Sequence, residues 1–351
     1  MKEKKRILVA PLNWGIGHAT RCIPIISELK KNNFEVIIAA SGRSLELLSS
    51  EFPKIQFIKF EDYKISYSSS LPMALNIFLQ IPKIIFGIYH ENTKLNTIIK
   101  DFKIDGVISD NRYGLFSKKI PSIFITHQLK IKSAFLENII QKINYYFINK
   151  FTQCWIPDYQ ENGLAGELSH PKENTKNHIY IGPLSRFNNN NNNIQPKYDI
   201  LAIISGPEPQ RSIFEKIITT QLKEHKKESL LVQGKPESKY CETINNLMIK
   251  SHLSALELNQ AILNSKLIIC RSGYSTIMDL FTLGKNAVFI PTPGQTEQEY
   301  LAEFLSKENL FKYQKQNKFQ LSIAQKQSKS FTKLSYRKQK IDWKNILLIF
   351  E

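Results

Sequence analysis

The sequence predicts an α/β protein made of two Rossmann-like, doubly wound parallel-sheet domains, and three observations predict it. Short β-branched apolar runs alternate with amphipathic stretches of helical period. The alternation stops at six consecutive asparagines, Asn188–Asn193, and then starts again. The 351 residues suffice for two domains of ordinary size, and 42% hydrophobic content suffices for two cores.

Each element follows in order. Strands are expected at Arg6–Leu12, Phe34–Ala40, Ile55–Phe60, Ile104–Ser109 and Ser122–Thr126. They are apolar along their whole length, as in parallel strands buried on both faces. Helices are expected between them at His18–Lys31, Ser44–Glu51, Ala74–Lys100 and Lys132–Lys150. Gly182-Pro183 then opens a polar, low-complexity stretch over 183–198 that reads as a linker. The second half restarts with strands at Asp199–Ile204, Ser229–Gln233, Lys266–Cys270 and Asn286–Ile290. Its helices are expected at Gln210–Glu224, Tyr240–Met248, Ala255–Asn264, Ser275–Leu283 and Glu297–Lys307. The expected organisation is a first domain over 1–182, a second over 199–311, and a basic tail over 312–351 that packs back on the first.

Composition narrows the function classes. Lys+Arg number 48 against 31 Asp+Glu, a net charge of +17, and 40 of the 48 are lysine. A basic chain favours anionic partners. So lysine-rich an excess reads as compositional bias more than as an arginine-built recognition surface, and no nucleic-acid motif accompanies it. The four cysteines, Cys22, Cys154, Cys241 and Cys270, lie far apart without metal-ligand spacing. Neither a metal nor a disulfide framework is expected, and a reducing, cytoplasmic compartment fits. The most apolar segment, Leu71–Tyr89, carries Lys83, Pro72 and Pro82 and is not a spanning helix.

Three loops carry chemistry. The first strand runs into Asn13-Trp14-Gly15-Ile16-Gly17-His18-Ala19-Thr20-Arg21. Glycines at a strand-to-helix turn let a ligand approach the backbone, and histidine exchanges protons near neutral pH. Thr20 stands where a dinucleotide fingerprint needs its third glycine, so this is not that motif. The second loop is Arg271-Ser272-Gly273-Tyr274-Ser275-Thr276 with Asp279 one helical turn on. It sets backbone N–H groups and hydroxyls where a pyrophosphate could sit, and a carboxylate where ribose hydroxyls could. The third runs from Pro291 to Glu297-Gln298, whose acid and amide suit a polyhydroxylated ligand. Helix capping explains parts of each loop equally well.

Together, in this order and spacing, these residues resemble the GT-B glycosyltransferases, within them the family 28-like group of the peptidoglycan N-acetylglucosaminyltransferase and the plant galactolipid synthases. The residues that carry the resemblance are Gly15-Ile16-Gly17-His18, Arg271-Ser272-Gly273 through Thr276 and Asp279, and Pro291 with Glu297-Gln298. The resemblance implies an inverting transfer from a UDP-sugar to a hydroxyl acceptor, with no metal or cofactor, across an interdomain cleft. It places the donor diphosphate at Ser272, Gly273, Ser275 and Thr276, the ribose at Asp279, and the sugar at Glu297 and Gln298. Gly15, Gly17, Arg211 and Arg271 join the donor set. His18 is the general base, with Asp110 as alternative, and Asn13, Trp14 and His127 face the acceptor.

The chain also departs from the family. Asn13 and Trp14 replace small residues, the ribose acid is the shorter Asp279, and Ala302-Glu303 stands where Asn-Ala is usual. A nucleotide-sugar hydrolase with the same Gly-x-Gly-His-x-x-Arg turn is the alternative reading. Family members with lipid-linked acceptors dock on the bilayer. The apolar 71–89 segment, flanked by Lys64, Lys83 and Lys94, is therefore expected either to meet an anionic membrane surface or to be a buried domain helix.

Overall fold

The computed structural model describes residues 4–14, 16–62, 80–132, 137–171, 177–187, 195–235, 237–332, 334 and 341–351. The expected linker asparagines, Gly15 and residues 71–79 of the 71–89 segment lie outside them. The chain forms two compact units, Met1–Leu184 with Gln339–Glu351, and Ser185–Lys338.

Unit 1 holds a seven-stranded sheet in the order β3-β2-β1-β4-β5-β6-β7. Its strands are β1 (Arg6–Pro11), β2 (Glu35–Ala40), β3 (Gln56–Lys59), β4 (Gly106–Asp110), β5 (Ser122–Ile125), β6 (Gln153–Ile156) and β7 (His178–Tyr180). All pairings are parallel. Side chains alternate between the faces of a strand. Ile7 and Val9 accordingly enter one core with helices α1 (Ile16–Lys31) and α2 (Gly42–Glu51), while Leu8 and Ala10 enter another against α3 (Ile81–Asp101). Both faces are covered, which is why the strands read as unbroken apolar runs. Helix α4 (Glu137–Ile148) covers β5 and β6 through Ile148 and its neighbours.

Unit 2 repeats the plan with β10-β11-β9-β8-β12-β13-β14. These are β8 (Tyr198–Ile203), β9 (Ser229–Val232), β10 (Cys241–Ile244), β11 (Leu247–Lys250), β12 (Ser265–Cys270), β13 (Val288–Phe289) and β14 (Lys312–Tyr313). The helices are α5 (Gln210–Lys223), α6 (Ala255–Leu263), α7 (Tyr274–Leu283), α8 (Thr296–Lys307) and α9 (Leu321–Ser328). In each sheet the strand order reverses beside the first strand, between β1 and β4 and between β8 and β12. Ligands of open α/β sheets bind outside the strands' carboxyl ends at such points.

Two expectations are corrected. Tyr240–Met248 is not a helix. It supplies β10 and the first half of β11, an antiparallel hairpin pairing Ile244 with Leu247. Asn245 makes the turn at φ 53°, a left-handed conformation that asparagine tolerates. The basic tail does not return to unit 1 as a whole. Residues 312–332 stay with unit 2, where β14 pairs with β13 and Leu321 and Ala324 join the core.

The last helix, α10 (Trp343–Leu347), and the turn after it bring Phe350 into the first core. Phe350 is 2% exposed and meets Trp155 and Phe34 edge-on. A Cβ on Gly106 would lie 2.4 Å from its ring, so that strand position must be glycine. Phe350→Ala should therefore destabilise unit 1 by about 3–5 kcal/mol. Denaturant unfolding of the full chain measures this, and a loss below about 1 kcal/mol would show that the C-terminal plug is dispensable.

Candidate functional site

The switch point of unit 1 gathers four of the residues singled out by sequence. His18 lies in the first turn of α1, Asp110 is the last residue of β4, and β4 pairs directly with β1. His18 Nδ1 is 2.7 Å from Asp110 Oδ1. Arg21, three residues along α1 and so on the same helix face, donates from Nε and Nη2 to both oxygens of that carboxylate. Its Nη1 reaches His127 Nδ1 at 2.9 Å.

Donor and acceptor chemistry fixes both imidazoles. Two groups meet His18 Nδ1, the Asp110 carboxylate at 2.7 Å, which only accepts, and Arg21 Nη2 at 3.1 Å, which only donates. The carboxylate is the nearer, and with Nδ1 donating to it the lone pair is on Nε2. Arginine only donates, so His127 Nδ1 accepts and its proton sits on Nε2. Burial alone would push the Asp110 pKa up. The charges of Arg21 and His18 and their hydrogen bonds overcome it and hold the carboxyl at about 2. The same burial and the Asp110 charge push the neighbouring Cys22 thiol well up, so it is not a nucleophile. His18 keeps 16% side-chain exposure while Asp110 has none, so the imidazole reaches solvent and the carboxylate does not.

The turn before His18 is framed by a second polar network, which the sequence did not disclose. Asp62 accepts from Asn13 N–H at 3.2 Å, from Ser41 Oγ at 2.9 Å and from Arg112 Nη1 at 2.6 Å. Arg112 is fully buried and also binds Glu91 through Nε at 2.9 Å and Nη2 at 2.6 Å. Two signals were available: Arg112 stands two residues after Asp110, and Glu91 is a lone acid on the buried side of an apolar helix. Asn13, expected at the acceptor, caps α2, its Oδ1 accepting from Ser44 N–H at 3.1 Å. Trp14 is 46% exposed beside it. Gly17 lies inside the first turn of α1, its carbonyl accepting from Thr20 Oγ1 at 2.8 Å.

At the switch point of unit 2, α7 starts with Gly273 as its N-cap and no side chain capping it, which sets Ser275 and Thr276 in its first turn. N–H groups of a first turn lack intrahelical acceptors and favour anions. Asp279 follows one turn further in, buried, with Ser185 Oγ donating to its Oδ1 at 2.6 Å. Burial raises its pKa to about 6 against the opposing charge of Arg186 and hydrogen bonds from Ser185 and the Arg186 backbone. Glu297 lies half-buried in the first turn of α8.

Other expected donor contacts face inward. Arg271 is 1% exposed. It donates to the carbonyls of Ile290 at 2.9 Å and Gln210 at 2.9 Å and to Gln316 Oε1 at 2.7 Å. Its guanidinium lies over the Phe214 ring, and burial lowers its pKa to about 10. Arg211 is paired with Glu208 and Glu215, each at 2.6 Å. The Ser272 hydroxyl is buried on the Gln298 carbonyl at 2.8 Å, and Gln298 Oε1 accepts from Thr292 N–H at 2.9 Å. These groups hold the loops after β8, β12 and β13 together. Gly206, at φ 105°, is the glycine that lets the β8 loop pass Thr292, whose Oγ1 lies 3.4 Å from where a Cβ would stand.

With an oriented histidine at one switch point and an uncapped helix start followed by a carboxylate at the other, relationships with known proteins become informative. A family model described as "Glycosyl transferase family 1" matches residues 5–330. The chain belongs to this family. It is 25% identical over 324 residues to an uncharacterized glycosyltransferase of Methanosarcina acetivorans, spanning 86% of this chain and 84% of that one. It is equally 25% identical, over 314 residues, to the UDP-N-acetylglucosamine--N-acetylmuramyl-(pentapeptide) pyrophosphoryl-undecaprenol N-acetylglucosamine transferase of Finegoldia magna, spanning 83% and 80%. Among solved structures, MurG of Acinetobacter baumannii superposes with TM-score 0.54 at 16% identity, over 94% of this chain and 91% of that one. The glycosyltransferase SnogD of Streptomyces nogalater does so with TM-score 0.61 at 10% identity, over 95% and 96%. The fold is GT-B, and the protein is a glycosyltransferase.

Asp110 anchors the histidine end of this glycosyltransferase's site electrostatically. Its low pKa favours the folded state above the unfolded value near 3.9, an advantage lost as pH falls toward about 2. Asp110→Asn removes that pH dependence and leaves Arg21 buried without its counter-charge. A loss of about 3–5 kcal/mol is expected at neutral pH. Equal stability of variant and wild type in denaturant titrations would overturn the pairing.

Proposed function

We propose that the chain transfers a sugar from a UDP-sugar, UDP-N-acetylglucosamine or a UDP-hexose, to a hydroxyl acceptor, with inversion and without a metal. The observation that carries this reading is the His18–Asp110 contact. It supplies a base with its Nε2 lone pair outward and its Nδ1 proton held by a buried carboxylate. The acceptor hydroxyl passes its proton to His18 Nε2 as its oxygen attacks the anomeric carbon. The bond from that carbon to the β-phosphate oxygen breaks from the opposite face, and UDP departs. Asp110 stabilises the imidazolium that forms.

Charge develops on the departing diphosphate, and the first turn of α7, with Gly273, Ser275 and Thr276, is assigned to it. Asp279 is assigned to the ribose and Glu297 to the sugar hydroxyls. Arg211, Arg271, Ser272 and Gln298 are assigned to shaping the loops that present these groups. Trp14 and His127 are assigned to the acceptor. The printed name of the Finegoldia relative, with its N-acetylglucosamine donor and undecaprenol-linked acceptor, supports a UDP donor and a lipid-linked acceptor.

A lipid-borne acceptor calls for contact with a membrane surface. Among the described residues no helix is long and apolar enough to cross a membrane. Helices α3 and α4 instead expose Phe86 (76%), Tyr89 (48%), Ile139 (49%) and Tyr146 (55%). Ile85, Tyr89, Lys142, Ile143, Tyr146 and Phe147 line a groove of about 450 Å³ there. Lys150 Nζ lies 4.6 Å from the Tyr146 ring centre and 4.9 Å from that of Phe116. Aromatic side chains interleaved with lysines are the composition of an interfacial anchor.

UDP release from a panel of UDP-sugars, with soluble and polyprenyl-linked acceptors, tests the chemistry. His18→Ala should lose about 10²- to 10⁴-fold of acceptor-dependent turnover. Wild-type turnover in that variant would remove the base assignment, and full-rate UDP release without acceptor would mean hydrolysis. For the membrane, the chain should co-sediment with vesicles of anionic phospholipid, less so as salt rises. Phe86→Ser combined with Tyr146→Ser should abolish sedimentation. Undiminished binding by that double variant would place the contact elsewhere.

A further inference from the structure

The carboxylate assigned to the donor ribose already holds a hydroxyl. Ser185 Oγ donates to Asp279 Oδ1 at 2.6 Å, and the Arg186 backbone N–H bonds the same carboxylate. Ser185 is where unit 2 begins, on the chain arriving from unit 1. It is held in place locally: its oxygen accepts from Phe187 N–H at 3.0 Å, Phe187 is 2% exposed, and the Arg186 guanidinium lies 4.9 Å from the Phe187 ring centre. The connector thus puts a small alcohol on the acidic group that opens α7's second turn.

A ribose hydroxyl approaching Asp279 would make the bond that Ser185 makes, an O–H donating to a carboxylate oxygen. Asp279 is 9% exposed, so there is little room for two alcohols on one oxygen. We propose that Ser185 sets the donor affinity by occupying the ribose position on Asp279, so that the nucleotide must displace the connector's hydroxyl to bind. The sequence offers no sign of this. Ser185 stands 94 residues from Asp279 in a stretch that reads as linker. Only the fold brings the connector's first residues onto the start of α7. The consequence is a donor site that closes on itself when empty, keeps its buried carboxylate hydrogen-bonded, and reads out nucleotide occupancy in the connector.

The inference rests on the assignment of Asp279 to the ribose, and one experiment separates the two. UDP and 2′-deoxy-UDP are titrated calorimetrically into the full chain and into Ser185→Ala, Ser185→Thr and Asp279→Asn. A freed carboxylate should bind UDP on the order of tenfold more tightly in Ser185→Ala. Ser185→Thr keeps the hydroxyl and should match wild type. Asp279→Asn should weaken UDP and reduce any preference over 2′-deoxy-UDP. If Asp279→Asn behaves in this way but Ser185→Ala binds UDP as wild type does, or more weakly, the displacement idea is overturned and the ribose assignment stands. If Asp279→Asn leaves UDP affinity unchanged, or no variant binds UDP, the donor reading itself fails. Ser185→Gly is the second substitution should the alanine variant fold poorly, with the same tightening expected.

Discussion

One buried carboxylate governs the histidine end of the molecule. Asp110 has no contact with water, where an isolated anion would be strongly penalised. It stays ionised because Arg21 and His18 converge on it from a single face of α1. A buried ion pair of this kind contributes little net stability over an apolar substitute. What it contributes here is orientation. It holds the His18 imidazole through Nδ1, and through Arg21 it holds His127 by its own Nδ1. Under the proposed function, the first of these two oriented histidines is the base.

The same fold treats its two switch-point carboxylates oppositely. Asp110, beside β1, has an arginine bonded to both oxygens and is held low. Asp279, beside β8, has no such bidentate partner, and burial carries it up to about 6. Under the proposed function, a group that orients a base must remain charged at every working pH, while a group that exchanges one hydroxyl for another needs only to accept. The charge of Arg186 only partly offsets that burial. Arg271, which lies between the two loops, is turned to carbonyls and the Phe214 face. Its five donors suit it to tying three chain segments together at once.

Much of this was legible in the sequence, and the gaps have physical causes. Strand and helix order followed from periodicity because both faces of each sheet are covered, which makes the strands uniformly apolar. His18 was legible because a histidine after glycines at a strand end has few other uses. The inward direction of Arg271 was not, because spacing along β12 fixes which loop a residue enters but not which acceptors surround its side chain. The Asp62–Arg112–Glu91 network was not, because its members are 50 and 21 residues apart and meet only once β1, β3 and β4 are in register. Tyr240–Met248 misled because apolar residues every three or four positions also occur in a short hairpin, and only the Asn245-Asn246 pair marked the turn.

The distribution of positive charge follows from the same division of labour. Of the eight arginines, Arg21, Arg112, Arg211 and Arg271 are 5% exposed or less. Each bridges several acceptors, which a guanidinium does and an ammonium cannot do without strain. Among the described lysines Lys285 is set inward, donating to the carbonyls of Leu263 and Ser265. As a rule an ammonium is too strongly hydrated to bury cheaply, so it stays at the surface. The net +17 is therefore mainly lysine charge, while four of the arginines are enclosed among acceptors. A diffuse field of this kind does not specify a partner. It raises the local concentration of anything anionic, a nucleotide diphosphate or a lipid headgroup alike. Under the proposed function, selection is then left to the short-range geometry at α7 and on the exposed aromatic face of α3 and α4.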